Sequence, residues 1–271
     1  LRGSLLFVTT EGKALIRDTA SDTWIGELPT LGGRGVSPID PATKNTVYYR
    51  TADGGTARYD VETHQSETLN WRPNASPEAW EWVDLGDPNL PGPSIAFTFY
   101  TDGRIYGYNP ATGRTYYQAS ELMGSGAPIV TIETGPDGVV YAGAYLTPPG
   151  MGRLNSSDTW DLLTGSGQIE GFGSYQGDLV FGRYPQGSLW RFDLDRPWSP
   201  PTNPGPVVEI GQEQNRPQSF VELDDQVAVS SVPGTGRHGG AISGGRNIDQ
   251  RWLRNRPGDA RCEAVRLGSG H

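Results

Sequence analysis

The chain has 271 residues and carries 22 Lys and Arg against 31 Asp and Glu, a formal net charge of −9, with an isoelectric point near 4.9. That balance speaks against nucleic acid and anionic membrane surfaces as partners, because both need positive charge clustered on the contact face. There is no run of 18 apolar residues, so no membrane span is predicted, and the lone Cys262 excludes an internal disulfide and a Cys-rich metal site.

Gly (38) and Pro (22) are abundant, yet aromatics make up 10% of the chain and strand-like runs are frequent. The Gly and Pro are therefore read as turns between strands and not as disorder. Repeat folds often exceed the usual domain length as one unit, so a single domain is expected. Leu1-Arg2-Gly3-Ser4 enters a strand signal with no initiator Met or secretion signal before it, and the chain is read as a mature form or a fragment.

In chain order, a short apolar run recurs six times: Leu5–Val8, Thr46–Tyr49, Ile95–Thr98, Val139–Tyr141, Leu179–Phe181 and Val227–Val229. Measured between Leu6, Val47, Ala96, Val140, Val180 and Val227, the steps are 40 to 49 residues, the size of one four-stranded propeller blade. The expected fold is all-β, a β-propeller of about six four-stranded blades, either complete or part of a seven- or eight-bladed ring.

Asp53-Gly54-Gly55, Asp102-Gly103 and Asn109-Pro110-Ala111-Thr112-Gly113 follow or separate these runs. Asp-Gly and Gly-Gly are hairpin chemistry, since Gly accepts the positive φ of tight turns between twisted strands. Ser76-Pro77-Glu78-Ala79-Trp80-Glu81-Trp82 opens with a capping-type Ser and Pro and predicts one helical turn. The fourth blade is predicted from Ile129–Glu133, Val139–Ala142, Gly152–Asn155 and Trp160–Leu163. The fifth is predicted from Ile169–Gly173, Asp178–Phe181, Ser188–Asp193 and Val207–Ile210. The sixth begins with Ser219–Leu223 and Gln226–Ser230. Residues 1–243 are taken as the propeller. Residues 244–271, with six Arg against three acids, form a basic C-terminal segment. They are read either as an ending in which Glu263–Leu267 closes the ring beside Leu5–Val8, or as a non-native tail.

The cadence of strand, Asp-Gly turn, strand ending in Tyr-Asn or Phe-Asp, then Pro-Ala-Thr-Gly stands most fully in Asp102–Gly113. It recurs partially in Arg58–Thr63, Pro136–Tyr141 and Leu189–Asp193. It resembles the bacterial YVTN-type and quinoprotein-like propeller repeats over most of residues 1–243. The resemblance implies an architecture and no particular activity. Trp160-Asp161 occurs once without the Gly-His partner of WD repeats. The per-blade Trp motif and adjacent Cys pair of quinone-dependent dehydrogenases are lacking, and no cofactor is expected.

In such a ring the starts of the first strands and the ends of the second strands converge on one face, where function is usually carried. Candidate ligand-binding residues there are Arg50, Glu170, Arg183, Tyr184, Arg216 and Gln218, with Tyr145 and His238 as candidate catalytic groups. Arg would neutralise a carboxylate while Tyr or His moves a proton. The competing reading has these groups bonding one another and channel water. Trp80 and Trp82, beside Glu78, Glu81, Asp84 and Asp87, are read as a sugar-stacking platform or as packing between blades. The acids lack calcium-loop spacing, and His64, His238 and His271 are too dispersed for zinc, so no metal is expected. The sequence therefore predicts a monomeric scaffold that recognises a carbohydrate or protein ligand, in an extracytoplasmic or secreted setting. The alternative is an extracytoplasmic polysaccharide lyase acting on uronic-acid glycans.

Overall fold

Turn chemistry cuts the chain into short strands that pair with their sequence neighbours. In Asn109–Gly113 the Gly113 amide donates to the Asn109 carbonyl at 2.8 Å, and Gly113 holds φ at +69°, a left-handed backbone that disfavours a β-carbon. In Pro136-Asp137-Gly138 the glycine holds +76°, and the Asp137 carboxylate accepts the Val139 amide at 3.1 Å. The computed structural model describes residues 5–10, 12–30, 35–99, 104–118, 128–145, 150–156, 159–211, 213–223, 226–237, 239–246 and 265–266. Among the described residues there is no helix, and the strands form six antiparallel sheets of three or four strands each. The all-β expectation holds.

The chain divides into two compact units, Leu1–Glu121 with Ser156–Asp158, and Leu122–Asn155 with Thr159–His271. The first unit holds three sheets. They are β1 (Leu5–Thr10), β2 (Lys13–Asp18) and β3 (Thr23–Pro29); β4 (Thr46–Arg50), β5 (Thr56–Asp60) and β6 (Gln65–Leu69); and β7 (Ala79–Val83), β8 (Ser94–Thr98), β9 (Ile105–Tyr108) and β10 (Thr115–Gln118). The second sheet has the rudiment of a fourth strand. Val36 bridges Tyr49, and the Ser37 and Asp40 amides donate to the Tyr48 and Thr46 carbonyls, each at 2.8 Å.

β4 is buried along its whole length, and its alternation splits its side chains between two cores. Val47 and Tyr49 join Ala14, Ile16, Ala57 and Tyr59 on one side, while Tyr48 joins Leu69, Trp71, Trp80, Trp82, Ile95 and Phe97 on the other. The helical turn predicted over Ser76–Trp82 is corrected here. Ala79–Val83 is strand β7 and pairs residue by residue with β8, Trp80 opposite Phe97 and Trp82 opposite Ile95. Alternation of the two Trp residues, together with a partner strand buried at every position, outweighs the local helix-start signal.

The second unit layers three more sheets. They are β11 (Ile129–Thr134), β12 (Val140–Ala144), β13 (Gly150–Ser156) and β14 (Thr159–Thr164); β15 (Gln168–Tyr175), β16 (Asp178–Tyr184), β17 (Ser188–Phe192) and β18 (Gly205–Glu209); and β19 (Gln214–Leu223), β20 (Gln226–Pro233), β21 (Ala241–Arg246) and β22 (Val265–Arg266). The middle sheet again faces two cores. Leu179 and Phe181 pack with Tyr141, Met151 and Ile169, and Val180 packs with Tyr175, Val207, Val227 and Val229.

Close approach of the sheets depends on glycine. A β-carbon at Gly171 would collide with the Gln218 carbonyl oxygen, one at Gly173 with Phe220, and one at Gly182 with Pro217. β22 pairs with β21, Ala241 opposite Arg266 and Ile242 opposite Val265. Val265–Arg266 thus adds a fourth strand to the last sheet, and the rest of Glu263–Leu267 lies outside the described residues.

Candidate functional site

The site is built where the first strand of each sheet begins and the second ends. In the second unit β15 opens at Gln168 opposite Tyr184, with Ile169 opposite Arg183. β19 opens at Gln214 opposite Pro233, with Arg216 opposite Val232. β11 opens at Ile129 opposite Ala144, and the next residue, Tyr145, donates its amide to the Pro128 carbonyl at 2.8 Å. Three consecutive sheets thus bring Tyr145, Glu170, Tyr184 and Arg216 to one place from distant parts of the chain.

A second feature recurs in the same strands. The ladder slips between Ile129 and Thr131, between Ile169 and Gly171, and between Gln214 and Arg216. Each slip leaves one residue unpaired near the strand start: Val130, Glu170 and Asn215. A bulge bends the strand and re-aims the extra side chain, and in β15 that side chain is a carboxylate.

Glu170 is 4% exposed. Its Oε1 accepts a hydrogen bond from Arg216 Nη1 at 2.8 Å and another from Gln168 Nε2. The Arg216 guanidinium carbon lies 4.1 Å from the Tyr184 ring centroid and 5.7 Å from that of Tyr145, within cation–π range of both. Burial works against the charged form of Arg216. The Glu170 charge, together with the hydrogen bonds that Arg216 donates to Glu170 and Tyr145, outweighs it, and the Arg216 pKa stands above its usual value. The pair is locally neutral and offers a carboxylate acceptor, a guanidinium donor and two phenol rings at one point.

Arg183 neighbours Tyr184 in the same strand and so faces the other side of the sheet. Its guanidinium carbon lies 4.2 Å from the Trp190 ring centroid, and burial lowers its pKa. Its Nε is buried without a hydrogen-bond partner. The guanidinium lies against Gly167, which holds φ at +76° and where a β-carbon would crowd it.

The remaining sequence candidates are placed as follows. Gln218 is half-buried on β19, and its carbonyl lies against Gly171. Trp80 and Trp82 are in the first unit, 7% and 8% exposed. Trp80 packs 4.9 Å from Phe97 and Trp82 lies 5.6 Å from Tyr48, ring centroid to centroid, so packing occupies their faces. Arg50 is in the same unit and is 1% exposed. His238 lies outside the described residues.

Sequence reasoning missed three contributors: Gln168 beneath Glu170, Trp190 beneath Arg183, and Gln214. Gln214 is buried, and its Oε1 accepts from Ser231 Oγ at 3.0 Å. The available signal was position, since Gln168 and Gln214 each open the first strand of a sheet.

Among the described residues no group of three or more His, Cys, Asp or Glu is placed to hold a metal ion, and no helix is long and apolar enough to cross a membrane. No known family model matches the chain, and no curated protein does.

Proposed function

We propose that the six sheets are blades of a β-propeller and that the chain is a binding scaffold recognising a carbohydrate on the loop face of its second unit. The sequential layering of three sheets within each unit, and the spacing of the marker strands, support the fold reading. The carrying observation for function is the Glu170–Arg216 pair, held by Gln168 and flanked by Tyr145 and Tyr184 from separate sheets. Sugar hydroxyls pair with a carboxylate and a guanidinium, and the apolar faces of a sugar ring rest on aromatic rings. Because Glu170 already compensates the Arg216 charge, the point favours a neutral polyhydroxylated ligand over a uronate.

A glycan array probed with the recombinant chain and with its Tyr184→Ala variant tests this reading. Binding to a neutral glycan that drops to background in the variant is expected, and a flat array for the parent chain overturns it. Ultraviolet absorbance of unsaturated products from uronate polymers is read in parallel. Its appearance, with loss in Tyr145→Phe, would replace the binding reading by the polysaccharide lyase in which Tyr145 moves the proton.

A further inference from the structure

Arg50, the last residue of β4, is a buried cation whose direct partners are all neutral. Its Nη1 donates to the Gly55 carbonyl at 2.9 Å and to Thr56 Oγ1 at 3.1 Å, and its Nη2 donates to the Pro73 carbonyl. Its Nε is buried with no partner, although the residue is only 1% exposed. Burying a charge without a counter-charge is unfavourable unless something compensates it.

Arg50 contributes to the wall of an open groove of about 420 Å³, together with Asp53, Arg72, Asn74, Ser76 and Phe99. The groove lies at the end of the sheet where β4 finishes and the chain enters β7. Among the described residues its lining carries two guanidinium groups against one carboxylate. Asp53 accepts from the Thr51 hydroxyl and the Gly55 amide, and from Arg72 Nη2 at 3.2 Å. These hydrogen bonds, that from Thr51 foremost, pull its pKa down to about 2 and keep it ionised. Arg50 remains charged at neutral pH even though burial lowers its pKa to about 10. Among the described residues of the lining one positive charge is therefore left over. The Arg72 side chain is 58% exposed and that of Asp53 is 66% exposed, so their contact can exchange for a ligand.

We propose that this groove binds a ligand through a single anionic oxygen group, a carboxylate, phosphate or sulfate, gripped by Arg72 above the buried charge of Arg50. Asn74 and Ser76 supply further hydrogen-bond donors along the lining. The site lies wholly within the first unit and does not depend on the carbohydrate reading of the second.

The test titrates the full-length chain at constant ionic strength with inorganic sulfate, inorganic phosphate, glucuronate and glucose, following Tm and the backbone amide shifts of Gly54, Gly55 and Asn74. A saturable response to at least one anion and none to glucose is expected, and the anion that saturates first identifies the oxygen group. Arg72→Ala, a change at an exposed side chain, should weaken the response about tenfold. Arg58→Ala, which removes an exposed ion pair outside the groove, should leave it unchanged. Arg50→Lys keeps the charge but loses the fork and should fall between the two. No saturable response, an unaltered response in Arg72→Ala, or equal loss in Arg58→Ala would overturn the proposal. The Tyr184→Ala chain should respond as the parent does, which separates failure here from failure of the carbohydrate site.

Discussion

The Arg216 guanidinium rests 4.1 Å from the ring centroid of Tyr184, joining the start of β19 to the end of β16 in the preceding sheet. The same guanidinium bonds Glu170 at 2.8 Å, so one side chain ties two sheets together by charge and by ring contact. Directly below, the Gly171 backbone meets the Gln218 carbonyl. The polar cluster and the glycine contact are two halves of one joint. The bulge that projects Glu170 and the missing β-carbon at Gly171 occupy consecutive residues of β15.

Arg216→Met should destabilise the fold by about 3 kcal/mol, because it leaves the Glu170 carboxylate buried with its charge unpaired. Adding Glu170→Gln to that variant should recover much of the loss, since a neutral amide needs no counter-charge. Urea unfolding of the parent, both single variants and the double variant closes the cycle. Additive losses would show that the two residues act independently.

Gly171→Ala should cost roughly 3 kcal/mol, because the new methyl meets backbone that has no rotamer by which to yield. Gly26→Ala is the control. Its β-carbon would meet only Ile16 Cδ1 at 3.9 Å, and the change should be close to neutral. Equal urea midpoints for the two variants would mean that the sheets separate easily at this point.

The strands were legible wherever turn chemistry and alternation coincided. All four strands of the sheets containing Val140 and Val180 lie where the run of apolar residues and Gly turns put them. Convergence of Tyr145, Glu170, Tyr184 and Arg216 was legible from strand position alone, because the repeat sends equivalent strand ends to one place. Ser76–Trp82 was misread because a Ser-Pro start is a local cue, whereas β7 is fixed by its pairing with β8, a partner on the far side of a loop. The bulge at Glu170 left no sequence trace, since an unpaired residue is defined only by the register of two strands. Arg50 was a candidate ligand contact by its loop position alone, and its burial had no signature in the sequence. Its burial depends on the Pro73 carbonyl, which comes from the next sheet's approach.

Asn203 should prove as important to stability as a core apolar residue. It is 1% exposed, and its Nδ2 donates to the carbonyls of Asp193, Arg196 and Pro197 at 2.9, 3.0 and 3.1 Å. Its Oδ1 accepts the Asp193 amide at 3.0 Å. One side chain therefore engages four backbone groups of the long connection between β17 and β18, its two amide hydrogens shared among three carbonyls. Asn203→Ala leaves them to find water or remain unpaired, at a cost of about 2 to 4 kcal/mol. Asn203→Asp should fare no better, because a carboxylate has no hydrogen to donate to these carbonyls. Thermal unfolding reads both, and a drop in Tm of a degree or less in Asn203→Ala would refute the assignment.

Glu81 should make the fold less stable as pH rises toward neutrality, the reverse of the usual carboxylate behaviour. Burial raises its pKa from the ordinary value of about 4.5 to about 7, only partly opposed by the hydrogen bond its Oε1 accepts from the Trp82 amide. Below about pH 4.5 the group is protonated in both folded and unfolded chains and contributes no difference. Between about 4.5 and 7 the unfolded chain loses the proton while the folded chain keeps it, so stability falls by up to about 3 kcal/mol across that window and levels off above it. Asp53 and Asp60, whose pKa values are lowered by hydrogen bonds, act with the opposite sign and at lower pH, which keeps the two effects apart. Urea midpoints measured from pH 5 to 8 should decline for the parent chain and flatten in Glu81→Gln. The same slope in both would show that Glu81 titrates as an exposed acid.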